Sequence, residues 1–164
     1  MHYPIRTGSA INIVAILRDG TPKPGWTNAG PRDEILAIFR KWATPASNIV
    51  AVPQSWTTWT LYDRPRLRRW GDGPITMIGD AAHPMLPFLA QGAAMAIEDA
   101  AVLADCLAKT PDDTAGAMRR YESLRNNRTT RAQKAASRNG LRYHAAGVEA
   151  VSYTHLTLPT TPYV

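Results

Sequence analysis

Between Gly79 and Asp99 the sequence gathers the side chains best able to do chemistry: Asp80, His83, Gln91, Glu98 and Asp99. Asp80 follows a short apolar run, Ile75-Thr76-Met77-Ile78, bounded by Gly73-Pro74 and Gly79. A brief β-branched run between such residues predicts a buried strand. Asp80 then stands at a strand end, where a carboxylate can accept hydrogen bonds from a ribose hydroxyl. The residues through Ala90 hold too many prolines for a helix. Gly92 opens an apolar, alanine-rich segment of helical character that runs to Lys109. Strand, acid, loop and helix start, in that order, is the layout with which open α/β sheets bind ligands beyond the carboxyl ends of their strands. The N–H groups at the helix start, Gly92-Ala93-Ala94, lack intrahelical acceptors and can hold negative charge. A glycine at position 92 lets a flat ligand approach the backbone.

Other reactive side chains in this stretch read differently. Glu98 and Asp99 resemble a general acid–base pair, but neighbours on a helix point about 100° apart, so a structural role is expected of both. Cys106 is the single cysteine. It excludes an internal disulfide and a cysteine-based zinc site, and its place in a helical pattern predicts a small buried apolar role. Met95 is expected to fill the core.

The elements that must position these residues follow in chain order. Ile11–Leu17 reads as a strand, and Thr7-Gly8-Ser9 as the turn of a hairpin with the residues before it. Asp19–Arg32 reads as a loop. Asp33-Glu34 starts a helix through Trp42, with Ile35, Leu36, Ile38 and Phe39 at helical spacing, and Pro45 ends it. Trp56–Tyr62 reads as a strand whose two tryptophans face opposite sides, each expected to pack. Arg66, Arg68 and Arg69 are expected in solvent, and Gly71-Asp72-Gly73 in a turn. The helix from Gly92 has little polar face and is expected to be largely buried. Pro111-Asp112-Asp113 caps a last helix, from Ala115 to about His144, with Tyr121, Leu124 and Arg128 on one face and Asn139-Gly140 as a break near its end.

Composition sets bounds. A chain of 164 residues with 45% apolar and 20% charged residues suits one soluble globular domain of ordinary size. No apolar run approaches a membrane span, no secretory signal is evident, and the cytoplasm is the expected compartment. The net charge of +6 comes mostly from Arg119–Arg142. That segment reads as the solvated face of an enzyme helix; a basic helical nucleic-acid-binding module is the alternative.

The string GDAAHPMLPFLAQGAAMAIEDAAVLADCL closely resembles the second FAD-binding motif of the class A flavoprotein aromatic hydroxylases, the group of salicylate and hydroxybenzoate hydroxylases. The likeness extends less sharply over residues 1–145. It implies an α/β protein, α+β within this stretch: an incomplete FAD-binding domain, part of a substrate-domain β-sheet, and long C-terminal helices. The implied segments are 1–66 for the partial substrate domain, 67–110 for the end of the FAD domain, and 111–150 for a helical segment. Carried over residue by residue, the resemblance makes Gly79-Asp80 the pair that binds the FAD ribose. Pro87 lies in the loop that passes the flavin ring, and Gly92, Ala93 and Ala94 are the backbone donors to its pyrimidine end. Gln91 and Tyr3 become the catalytic-pocket residues that face the substrate. His83, which is not the family's established catalytic group, is expected to hydrogen bond within the loop. The implied chemistry uses FAD, with NAD(P)H as co-substrate and dioxygen, to hydroxylate a small aromatic acid. No metal, nucleic acid or membrane is implied, and the oligomeric state is left open.

Two features depart from that pattern. No GxGxxG fingerprint occurs in the sequence, although the family uses one to hold the FAD pyrophosphate. The chain is therefore expected to be the C-terminal portion of a longer monooxygenase, inactive alone. Val151–Thr160 matches one reading frame of a common sequencing adapter. Residues 151–164 are set aside as a processing artefact and expected to pack poorly.

Overall fold

The computed structural model describes residues 1–17 and 24–145; the adapter-like residues 151–164 lie outside them. The chain divides into two compact units, Met1–Leu61 and Tyr62 onward. Segments 67–110 and 111–150, distinguished above, share the second unit, where their helices pack together.

The first unit holds two antiparallel ribbons and two short helices. β1 (His2–Ile5) and β2 (Ala10–Ile13) form the expected hairpin, joined by a one-turn 3-10 helix at Arg6–Gly8. β3 (Thr27–Gly30) pairs with β4 (Trp56–Trp59), so the stretch read as a loop contains a strand. Its Thr-Asn-Ala-Gly sequence has little β propensity of its own. What selects it is the partner: a Cβ on Gly30 would lie 2.8 Å from the Cβ of Trp56, so a residue without a side chain fits opposite that tryptophan. Trp56 packs on the local core, whereas Trp59 is 63% exposed and does not.

α1 spans Arg32–Phe39, with Asp33 and Glu34 in its first turn, where the helix dipole favours them. It stops short of the expected Trp42, and Pro45 does not end it: Pro45 lies in the first turn of α2 (Thr44–Ala51), where a proline forfeits no helical hydrogen bond. Ile35, Phe39 and Val50 form the buried cluster, and Arg32 ties the unit by donating to the carbonyls of Ala51 and Pro53.

In the second unit β5 (Gly71–Asp72) and β6 (Ile75–Thr76) make a minimal hairpin. The run expected as a buried strand is thus short, and Ile75 is 72% exposed. Among the described residues no further strand pairs with it; α4 lies against the hairpin and half-buries Thr76, while Ile75 is left in solvent. α3 occupies Gly92–Lys109, as its spacing predicts. It is less buried than expected: Met95, Asp99 and Cys106 are sealed, while Ile97 is 71% exposed.

α4 runs unbroken over Thr114–Tyr143. Its cap is Asp113, whose Oδ1 accepts the Gly116 N–H at 2.8 Å. Asn139-Gly140 does not interrupt it, because a Cβ on Gly140 would come within 2.7 Å of the Phe88 ring. The missing side chain serves packing, not a turn. The expected face of Tyr121, Leu124 and Arg128 is also revised: Tyr121 is buried, while Leu124 and Arg128 are exposed. The inward positions are instead Ala117, Tyr121, Arg125, Thr129, Gln133 and Ala136, spaced every three or four residues. Trp70, Ala82, Cys106, Ala117 and Tyr121 form the apolar core.

Candidate functional site

The site is built on the segment from Gly79 to the start of α3. Gly79 has a φ of +57°, a conformation few L residues adopt, and a Cβ there would meet Ala96 Cβ at 3.1 Å. The backbone turns at this point into a one-turn 3-10 helix, Gly79–Ala81, which leaves Asp80 exposed. Its carboxylate lies beside the start of α3: Asp80 Oδ1 is 3.8 Å from where a Gly92 side chain would begin, and Met85 Cγ is 3.9 Å from the same point.

The first N–H of α3 to find a protein acceptor is that of Met95, which donates to the Gln91 carbonyl at 2.9 Å. The N–H groups of Gly92, Ala93 and Ala94 have none among the described residues. Gln91 precedes the helix without capping it through its side chain, and is exposed. One edge of the unit thus carries a carboxylate acceptor next to a set of free donors. Sugar hydroxyls opposite the acid and carbonyl or anionic oxygens opposite the helix start are the chemistry that edge can take.

The connecting loop is held from behind. Pro87 is exposed and opens a 3-10 turn, Pro87–Leu89, that closes at Ala90 with a φ of +51°. Phe88 between them is buried, 5.8 Å from the Tyr143 ring and seated on Gly140. Gln133 Nε2 donates to the Pro84 carbonyl at 2.8 Å, and Asn139 and Tyr143 donate to that of Phe88 at 3.4 Å. The inward face of α4 therefore acts as a rack for the loop.

Charge supports the other end. Asp99 and His83 are fully buried. Asp99 Oδ2 accepts the Gly79 N–H at 3.0 Å and faces His83 Nε2 at 2.5 Å; its Oδ1 accepts from Arg125 Nε at 2.7 Å. Arg125 Nη1 reaches Glu98 Oε2 at 2.6 Å, and Arg128 forks onto both oxygens of Glu98 at 2.5 Å. Glu98 and Asp99 do diverge, as helix geometry requires, but one guanidinium bridges both. His83 bonds within its loop through its backbone N–H, which donates to the Gly79 carbonyl at 2.9 Å, while its ring reaches α3.

Burial pushes the Asp99 carboxyl up, yet the Gly79 N–H, Arg125 and His83 outweigh that, and the group lies below the usual carboxylate range. Hydrogen bonding to Arg128, aided by Arg125 against the cost of partial burial, lowers Glu98 to about 2. Burial, then the nearby Asp99 charge, raises the Tyr121 phenol well above its ordinary value. Its hydroxyl donates to the Met77 carbonyl at 3.3 Å.

Of the residues singled out by sequence, Asp80 lies beside the helix start of Gly92, Ala93 and Ala94, while Pro87 and Gln91 are exposed in the loop that leads to it. Gly79 shapes the turn, with its N–H directed inward. Tyr3 belongs to the other unit, on β1, and is 44% exposed. The basic segment is not one solvent-facing stripe: Arg125 is buried, and Arg119 and Arg128 are paired with Glu122 and Glu98. Arg66 is not simply solvated either, since it donates to the Asn126 side chain. Arg69 pairs with Asp72. An open groove of about 550 Å³ runs along Arg64, Arg66, Lys134 and Arg138, with Asp63 and Ser137 hydrogen bonded in its wall. Sequence reasoning missed Trp70, Phe88, Arg125 and Gln133. The recurrence of Arg125, Thr129, Gln133 and Ala136 at helical spacing was the available signal, obscured because three of the four are polar.

The chain is similar to known proteins over most of its length. The FAD binding domain family matches residues 1–139. A 3-hydroxybenzoate 6-hydroxylase of Klebsiella oxytoca is 38% identical over 149 residues, covering 91% of this chain and 38% of the relative. A salicylate hydroxylase of Pseudomonas putida is 34% identical over 151 residues, covering 86% of this chain and 35% of the relative. A solved salicylate hydroxylase substrate complex superposes with a TM-score of 0.76 at 26% identity, covering 93% of this chain and 40% of that one. The chain spans well under half the length of these relatives. With the family match running through the acid, the loop and the helix start, this chain belongs to the FAD binding domain family.

Proposed function

We propose that this chain supplies the sugar-and-flavin-ring half of an FAD site in an enzyme that hydroxylates a small aromatic acid, with NAD(P)H as reductant. The observation that supports it most is the placement of Asp80 Oδ1 within 3.8 Å of the position a Gly92 side chain would take, beside free N–H donors on an exposed edge. The residues present fit the group: the acid would take a sugar hydroxyl, the bare Gly92 backbone would admit a flat ring, and the free donors would hold ring oxygens. Bound FAD would supply the redox chemistry with dioxygen. The chain's residues would bind, orient and shield. The N–H groups of Gly92, Ala93 and Ala94 stabilise negative charge on a ring held against them, because they are fixed in place before it develops. The Pro84–Ala90 loop, anchored by Phe88 and Gln133, limits the access of water. Gln91, exposed just ahead of α3, contacts the substrate.

The chain lacks the glycine-rich phosphate fingerprint, so alone it binds FAD weakly or not at all and does not oxidise NADH. A chimaera in which this chain replaces the matching region of the Klebsiella oxytoca relative tests the reading. It should bind FAD and oxidise NADH when 3-hydroxybenzoate is added. Asp80→Ala in that chimaera should weaken FAD by about tenfold or more, the scale of one lost charge-assisted hydrogen bond. A folded chimaera that stays colourless would overturn the proposal.

A further inference from the structure

We infer that Asp99 is a positioning residue of this site: a sealed carboxylate, itself out of reach of any ligand on the exposed edge, that sets where Asp80 stands. The inference deepens the flavin reading given above and rests on it.

The side chain of Asp80 makes no hydrogen bond or ion pair with any described residue. With no polar partner to hold the carboxylate, the backbone that carries it sets where it can reach. That backbone is one turn long, and both flanks of the turn are tied to a single atom. Asp99 Oδ2 takes the N–H of Gly79, the residue before Asp80, at 3.0 Å, and faces His83 Nε2, just past the turn, at 2.5 Å. A carboxylate can only accept, so the imidazole donates there. His83 Nδ1 is buried without a partner among the described residues, which leaves Asp99 as the polar anchor of the ring there; Trp70 packs against it at 5.3 Å.

Asp99 can serve in this way because it is kept charged and still. Arg125 Nε sits on its other oxygen at 2.7 Å. The same guanidinium donates to the Met95 carbonyl at 3.2 Å, in the first turn of the helix that carries the free N–H donors. Two carboxylates, Glu98 and Asp99, face two guanidiniums, Arg125 and Arg128, so charge balances inside the cluster. The acid on the edge and the helix start are thereby referred to one buried ion.

Amide exchange and side-chain NMR on the full 164-residue chain test this. In the wild type, the Gly79 amide and the His83 Nε2–H should both be visible and protected. In Asp99→Asn the His83 signal should be lost, the Gly79 amide should exchange about tenfold faster or more, and the backbone resonances of Asp80 and Gly92 should move. Protection at Cys106 and Tyr121 should stay within about threefold. Val102→Ala, a core change on the same helix, should lower protection without singling out Gly79. His83→Gln should leave the Gly79 amide protected, because its acceptor remains. Wild-type exchange at Gly79 in Asp99→Asn, or losses that run parallel in Asp99→Asn and Val102→Ala, would overturn the inference. Should Asp99→Asn not fold, an unprotected Gly79 amide in the wild type would overturn it and a protected one lost in a milder Arg125→Lys variant would support it. FAD titration of the same samples reports on the flavin reading separately, since none of these signals needs bound flavin.

Discussion

Around Ile35, Phe39 and Val50 the first unit excludes water with three apolar side chains drawn from two short helices. Around Asp99 the second unit excludes it with a carboxylate, a guanidinium and an imidazole, beside a core of Trp70, Cys106 and Tyr121. The apolar cluster is tolerant, because dispersion contacts have no direction and neighbours can shift to fill a gap. The ionic one is not. Each charge is out of water only because its partners are present, so taking one away leaves the others uncompensated. What the second unit gains is definition: directional bonds fix a particular loop and a particular acid, which an apolar core does not do by itself.

Single changes probe that contrast. Arg125→Ala should have the largest effect, destabilising the second unit by about 3–5 kcal/mol, since it strands Asp99 and Glu98. Denaturant unfolding followed at Trp70 measures it, and a change below about 1 kcal/mol would break the comparison. Acid comes next. Glu98 and Asp99 have folded values below their unfolded ones, so their contribution is full above about pH 4.5 and is lost as pH falls toward 2. The α3–α4 amides should lose protection over that window. The Ile35 cluster, which contains no ionisable side chain, should not follow it, and parallel loss in both units would remove the distinction.

Gly140→Ala should cost about 1–3 kcal/mol by pressing on Phe88 and should loosen the Pro87–Leu89 turn before it affects α4 itself; proteolysis of the loop would show this. Ile35→Val, the matching small change in the first unit, should cost about 0.5–1.5 kcal/mol. Trp59→Ala should be nearly silent, within about 0.5 kcal/mol, because that ring is 63% exposed and outside the Ile35 cluster.

Much of the candidate site was legible before any geometry. Asp80, the proline loop and Gly92 stood in an order with a chemical meaning, and α3 begins and ends where its spacing said. The β1–β2 hairpin and the Asp113 cap were equally plain, since a glycine turn and an aspartate ahead of a helix act within a few residues of themselves. β3 was not legible, because the chain there has no pattern of its own and takes its conformation from Trp56. Nor was the inward face of α4. Arginine, threonine and glutamine at helical spacing look like a solvated surface until the groups they satisfy, Asp99 and the Pro84 carbonyl, are known to lie opposite.

The sequence by itself therefore determined which residues are candidates for a ligand site, because that depends on residue type and on neighbours along the chain. Only the tertiary structure decided what holds those residues in place. A buried charge has no meaning until its partners are brought to it, and Asp99, Arg125 and Gly79 come from three separate parts of the chain.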